Sequence, residues 1–264
     1  MKLGFIGTGN MASAIMGGVI KNNIFAANEI IGSDLLAAGR EKVQKQFGIN
    51  VTASNKEVVE QAEVFILSVK PQFYAEVIAE IKDCVKENQI VITIAPGKTL
   101  AWLEEQFGKT VKIVRTMPNT PALVGAGMTA AVSNAYLTQE EIDYVKTILE
   151  SFGKVEFAPE RLMDVVVSTS GSSPAYVYMM IEAMADAAVS GGMPRPQAYQ
   201  FAAQAVLGSA KMVLETDMHP GALKDMVCSP GGTTIEGCEA LERGGMRGAV
   251  IDCINKAAEK SKKL

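Results

Sequence analysis

Two short glycine-bearing stretches carry residue types whose spacing could do chemistry. Near the start, the apolar run Leu3–Ile6 leads into Gly7-Thr8-Gly9-Asn10-Met11-Ala12, and then into an apolar pattern through Ile15, Val19 and Ile20. A buried strand, a Gly-x-Gly-x-x-Ala turn and a helix in that order make a dinucleotide-binding turn. Gly7 permits the tight bend, Gly9 lets the backbone approach a pyrophosphate, and Ala12 is small enough for the helix to pack on the strand. The helix start turns N–H groups and the positive end of its dipole toward phosphate. A tight turn with no ligand is the plainer alternative. Toward the other end, Ser229-Pro230-Gly231-Gly232-Thr233-Thr234 enters a helical pattern. A Gly-Gly bend at a helix start presents several backbone N–H groups to an anion, and the three hydroxyls add neutral donors and acceptors. A small carboxylate suits such a site. An ordinary helix start capped by Thr233 or Thr234 also fits.

Other loops carry weaker signals. Ser33-Asp34 ends a strand about 20 residues beyond the glycines, where the adenosine ribose is normally read. The acid favours a 2′-hydroxyl, the Ser could hold a 2′-phosphate, and Asp34 as a plain turn residue is equally open. Ser68-Val69-Lys70-Pro71 brings a lysine charge toward phosphate or ribose, unless Lys70 is only a solvated loop residue; Pro71 suits the first helical position. Met117-Pro118-Asn119-Thr120-Pro121 is either a rigid connector or a loop offering side-chain hydrogen bonds. His219, before a Pro-Gly turn, reads as structural.

These loops require strands and helices that alternate from Met1 to about Phe157. Strands are expected at Leu3–Ile6, Glu29–Asp34, Ile49–Thr52, Glu63–Val69, Gln89–Ala95, Val111–Thr116 and Met128–Val132. Helices are expected around 37–47, 55–61, 76–85, 100–107 and 138–152. Such alternation implies a parallel sheet with helices on both faces and ligands beyond its carboxyl ends. From about Glu160 helical patterns take over, the most apolar being Ala175–Val189, whose Met179, Met180 and Met184 suit a core or a subunit interface.

Composition bounds the rest. The 264 residues carry a net charge of −4 and one histidine, so there is no basic field for nucleic acid and no polybasic membrane anchor. No long uninterrupted apolar run predicts a membrane span, and the first strand leaves no room for a signal peptide. Cys84, Cys228, Cys238 and Cys253 form no CxxC pair, so thiols in a reducing cytoplasm are expected and a metal site is not.

Gly7–Met11, Val69-Lys70-Pro71, Met117–Pro121, Ser170–Tyr176, Leu223-Lys224-Asp225 and above all Ser229–Thr234 resemble pyrroline-5-carboxylate reductase, in order and over nearly the whole chain. The resemblance implies a Rossmann-type doubly wound α/β sheet over residues 1–158, binding dinucleotide. An all-helical domain for substrate binding and dimerisation follows over 159–264. It implies reduction of 1-pyrroline-5-carboxylate to L-proline by NADPH or NADH, in a cytoplasmic homodimer or larger homo-oligomer. Gly7, Thr8, Gly9, Asn10, Met11, Ala12, Ser33, Asn55, Ser68, Val69, Lys70, Pro71, Ala95 and Gly97 would line the cofactor. Ser229, Gly231, Gly232, Thr233, Thr234 and Glu160 would hold the substrate. Ser173 and Pro96 depart from the family's usual glycine and alanine, which bears on local loop shape.

A protonated imine is already electrophilic, so the cofactor supplies the hard chemistry and the protein mainly positions the ring, within about 3–3.5 Å of the hydride donor. Backbone N–H groups at Gly231–Thr234 suit the ring carboxylate, and the Thr234 hydroxyl is the expected catalytic contact to the ring nitrogen. A hydroxyacid dehydrogenase on the same plan would need a lysine base, which the helix at 175–189 lacks. A non-catalytic nucleotide-binding protein would not need both loops.

Overall fold

A computed structural model describes residues 1–263. Its strands are β1 Leu3–Ile6, β2 Ile30–Ser33, β3 Asn50–Thr52, β4 Val64–Leu67, β5 Ile90–Thr93, β6 Lys112–Met117, β7 Gly127–Ser133 and β8 Gly153–Phe157. They form one sheet in the order β3-β2-β1-β4-β5-β6-β7-β8. Interleaved helices are α1 Asn10–Lys21, α2 Ala37–Phe47, α3 Asn55–Gln61, α4 Tyr74–Ile81, α5 Leu100–Phe107 and α6 Gln139–Glu150. After them come α7 Met163–Val166, a π-helical turn Val167–Gly171, α8 Ser173–Ser190, α9 Arg195–Thr216, α10 Pro220–Val227, α11 Thr233–Arg243 and α12 Met246–Ser261.

Alternating side chains on short, apolar strands give the sheet two dry faces. Leu3, Phe5, Ile66 and Ile92 pack with Ile15, Met16 and Val19 of α1 and Ile148 and Leu149 of α6. Ile6, Phe65, Leu67 and Val91 pack with Val58 of α3, Ile78 of α4 and Leu103 of α5. Chain order reverses beside β1, which pairs with β2 on one side and β4 on the other. In such sheets that reversal opens the ligand crevice at the carboxyl ends.

The sheet departs from the sequence reading in two ways. β7 runs antiparallel to β6, because the connection 118–126 is too short to cross over and return parallel. β8 carries a single buried residue, Val155, at the sheet edge, and so shows none of the apolar run that marks the inner strands.

Contacts divide the chain into two compact units, Met1–Ser172 with the closing residues from Ala257, and Ser173–Lys256. The division expected between residues 158 and 159 falls inside the first of them. In the second unit α8 packs on α9. Only Ala185 of α8 is buried, while Tyr178, Met179 and Met184 are exposed, Met179 by 68%.

Candidate active site

In the first unit, five loops leave the same edge of the sheet, since Ile6, Ser33, Leu67, Thr93 and Arg115 are register partners. Gly7 has φ +94°, where a side chain is strained, and a Cβ there would lie 2.9 Å from the Ser68 backbone carbon and oxygen. Gly7 N–H donates to the Ser33 carbonyl at 2.8 Å. The Ser68 hydroxyl lies 2.7 Å from the Gly7 carbonyl and 3.0 Å from that of Ile6. Gly7 thus sits where β1, β2 and β4 converge.

Gly9 is the N-cap of α1 with no side-chain cap, and a Cβ there would meet nothing within 4 Å. The first N–H groups of a helix have no partner within it, so an anion can approach those of Asn10 and Met11 across the bare Gly9. Asn10 is exposed and Met11 half-buried, whereas Ala12 is fully buried against the strand layer. Those features fit a dinucleotide pyrophosphate.

Asp34 bonds back onto the chain. Its Oδ2 accepts both the N–H and the hydroxyl of Thr8, each at 2.9 Å, and its Oδ1 accepts the Leu36 N–H at 3.0 Å. The carboxylate braces the glycine loop and its own turn. Thr8, buried, holds the loop with its side chain and does not present it outward.

Several expected cofactor residues bond to neighbours within the protein. Ser33 is fully buried, and its hydroxyl donates to Asn55 Oδ1 at 2.7 Å, so it does not reach a 2′-phosphate directly. Asn55, half-buried at the start of α3, also donates from Nδ2 to Glu80 at 2.8 Å, which fixes its amide plane. Ala95 is buried and can offer only backbone. Val69 is half-buried, Lys70 is exposed, and Pro71 opens a 3₁₀ turn. The buried Tyr74 phenol donates to the Leu67 carbonyl and accepts the Ile94 N–H, tying the ends of β4 and β5; burial pushes its pKa well above the ordinary phenol value.

Glu160 and a residue missed from sequence, Arg115, form a separate polar cluster in the same unit. Arg115, only 6% exposed at its side chain, donates to Glu160 Oε1 at 2.7 Å, and the Leu100 N–H donates to the same oxygen at 2.7 Å. Gly97 (φ +74°), Thr99 and Arg161 join them around a cavity of about 320 Å³. Asn119 is a connector: it donates to the Ser170 carbonyl at 3.0 Å and accepts the Met128 N–H at 2.9 Å. The signal for Arg115 is a second charge, after Lys112, set among the apolar residues of Val111–Thr116.

In the second unit, Gly232 N–H donates to the Ser229 carbonyl at 3.0 Å, closing a turn with Pro230 and Gly231 at its centre and Gly231 at φ +66°. That is the Pro-Gly chemistry a tight turn of this kind requires. Gly232 is the N-cap of α11, and no side chain caps it. The capping reading of Thr233 and Thr234 is thereby overturned: neither hydroxyl serves the helix end, and the α11 N–H groups remain available to an anion. A Cβ on Gly232 would meet the Ser229 hydroxyl at 2.3 Å, so that hydroxyl lies directly over the glycine. Ser229, Gly231 and Thr233 are exposed; Gly232 and Thr234 are half-buried. His219 caps α10 by accepting the Gly221 N–H at 3.0 Å.

Residues 160–264 match the family model for pyrroline-5-carboxylate reductase dimerisation, and residues 2–97 match that of the NADP oxidoreductases, coenzyme F420-dependent. The pyrroline-5-carboxylate reductase of Escherichia coli K12 is 52% identical over 267 residues, covering 100% of this chain and 98% of that protein. The chain belongs to the pyrroline-5-carboxylate reductase family. It is an NAD(P)H-dependent oxidoreductase that reduces 1-pyrroline-5-carboxylate to L-proline in proline biosynthesis. Two solved members of the family share the fold. The Coxiella burnetii reductase superposes with a TM-score of 0.92 at 33% identity, covering 99% of this chain and 97% of that one. The Plasmodium falciparum enzyme, solved with NADP bound, gives 0.91 at 34% identity, covering 100% and 97%.

Proposed function

We propose that this pyrroline-5-carboxylate reductase divides its work between two glycine turns, one in each unit. The observation that carries the reading is the uncapped start of α11 behind the Pro230-Gly231 bend. Its backbone N–H groups would bind the ring carboxylate, Ser229 and Thr233 would flank it, and the Thr234 hydroxyl would orient the ring nitrogen. Glu160 is assigned to the substrate by the resemblance; its own geometry also gives it the duty of pinning Arg115 and the start of α5.

NADPH is the proposed reductant, and when bound it supplies the hydride. Gly7–Ala12 would cradle its pyrophosphate, with Lys70, Val69 and Gly97 along the same edge. Ser33 and Asn55 would shape the adenosine side, Ser33 through its bond to Asn55. The reductive, biosynthetic direction of the reaction carries this choice; Asp34 braces the loop through Thr8 and Leu36, and its negative charge pulls toward NADH. The Arg40 guanidinium donates to the Asp34 carbonyl at 2.6 Å, which adds positive charge at that corner. Initial rates with the two cofactors at equal low concentration should favour NADPH by about tenfold or more, the worth of one charge-assisted contact. Equal rates would overturn the assignment.

The enzyme is proposed to work as a homodimer or larger homo-oligomer through the helices of the second unit. Phe201, Leu207, Leu214 and Met226 are exposed along with the α8 methionines, an apolar extent unusual for a lone chain. Sedimentation velocity at micromolar concentration should show no monomer; a monomer alone would contradict the proposal. We also place the enzyme in the cytoplasm, where NADPH is held reduced and its cysteines stay thiols, an assignment checked by fractionating cells for the activity. Among the described residues no helix is long and apolar enough to cross a membrane.

A further inference from the structure

Cys228 follows the last residue of α10, and Cys238 lies within α11, so the two thiols bracket the Ser229–Thr234 turn. Their sulfurs are 3.8 Å apart. Both residues are half-buried, and neither has a duty in the site described above. Cys238 also lines an open apolar cavity of about 490 Å³ with Leu241, Met246 and Val250, a route by which a small oxidant reaches the sulfur. Burial and the neighbouring Cys238 push the Cys228 thiol up, while the Lys224 ammonium on α10 pulls it back toward the thiolate.

We propose that Cys228 and Cys238 form a reversible intramolecular disulfide on exposure to peroxide, and that this modification weakens substrate binding at the turn between them. One thiolate attacks a peroxide oxygen; the O–O bond breaks, hydroxide leaves and is protonated to water, and a sulfenic acid forms. The second sulfur attacks that sulfenic sulfur, the S–O bond breaks, a second water leaves, and the S–S bond closes. Two thiols lose two electrons and two protons, and one peroxide becomes two waters. An S–S bond is about 2.05 Å long, so the sulfurs must approach by nearly half their present separation. Cys228 caps α10 at φ −90° and ψ 86°, its N–H held by the Lys224 and Asp225 carbonyls, so the approach falls to its side chain and to the backbone on its Ser229 side. Its displacement passes directly to Ser229, whose carbonyl closes the turn and whose hydroxyl covers Gly232.

The effect on catalysis rests on the assignment of this turn to the substrate; formation of the disulfide does not. The test treats the full-length enzyme with hydrogen peroxide and maps its peptides by mass spectrometry without reduction. The expected product joins the Cys228 and Cys238 peptides with the loss of two hydrogens. With it, kcat/KM for pyrroline-5-carboxylate should fall about fivefold or more while the Kd for NADPH stays unchanged, since one hydrogen bond's worth of geometry is lost. Dithiothreitol should restore both mass and rate. Cys238→Ser and Cys238→Ala should each keep the untreated rate and resist peroxide, and either one that folds suffices as the control. Both thiols recovered unlinked, or a link to Cys84, Cys253 or a second chain, would overturn the proposal. A correct cross-link with an unchanged rate would overturn its catalytic half, and if Thr234→Ala were also silent the fault would lie with the substrate assignment.

Discussion

Gly7→Ala should raise the Kd for NADPH about 100-fold, read by fluorescence titration, and lower the Tm by several degrees. Two penalties add at this position. The φ of +94° is one an alanine adopts only under strain, at about 1–2 kcal/mol. The new Cβ would also fall 2.9 Å from the backbone carbon and oxygen of Ser68. Backbone cannot rotate aside as a side chain can, and relieving such overpacking costs about 1–3 kcal/mol. Together they approach 3 kcal/mol, or about two decades in affinity if most of the relief comes from opening the loop. The loop is the part able to yield, because β1 is locked on both sides by parallel partners. A Tm that falls while the Kd holds would mean that the bend serves only the fold.

Thr234→Ala should lower kcat/KM for pyrroline-5-carboxylate about tenfold or more, and Thr234→Ser should recover most of it. The hydroxyl caps no helix, so removing it leaves α11 intact, and the loss reports a contact made to the substrate. One positioned hydrogen bond to a charged ring nitrogen is worth about 1.5–3 kcal/mol. The serine variant separates that bond from packing of the methyl group. An unchanged rate in the alanine variant, or a serine variant as slow as alanine, would remove Thr234 from the catalytic role.

What the sequence disclosed and what it hid follow from how local each feature is. The bends at Gly7 and Gly231 were legible because a positive φ leaves few residue types able to fill them. The inner strands were legible because both faces are dry, so their residues run continuously apolar. Ser33 and Asp34 stayed ambiguous because the direction of a polar side chain depends on a partner distant in sequence: Thr8 for Asp34, Asn55 for Ser33. Arg115 escaped notice since its partner, Glu160, lies beyond β6, β7 and α6. The apolar character of α8 was plain, but sequence could not separate a buried core helix from an exposed face. Met179, largely exposed in the single chain, favours the second.

The central claim is that the N–H groups opening α11 read the substrate's carboxylate, and one comparison tests it directly. Thr233 is the first residue of that helix, and Gly232 before it is extended at φ −83° and ψ 169°. Proline is therefore tolerated at position 233 and removes one N–H without breaking the helix. The measurement is the ratio of kcat/KM for pyrroline-5-carboxylate to that for unsubstituted 1-pyrroline, which lacks the carboxylate, in wild type, Thr233→Ala and Thr233→Pro. The account predicts that Thr233→Pro loses about tenfold or more of the preference that Thr233→Ala retains, the worth of one N–H bond to a carboxylate, with 1-pyrroline reduced as before in both. A preference undiminished in Thr233→Pro would show that the carboxylate is read elsewhere.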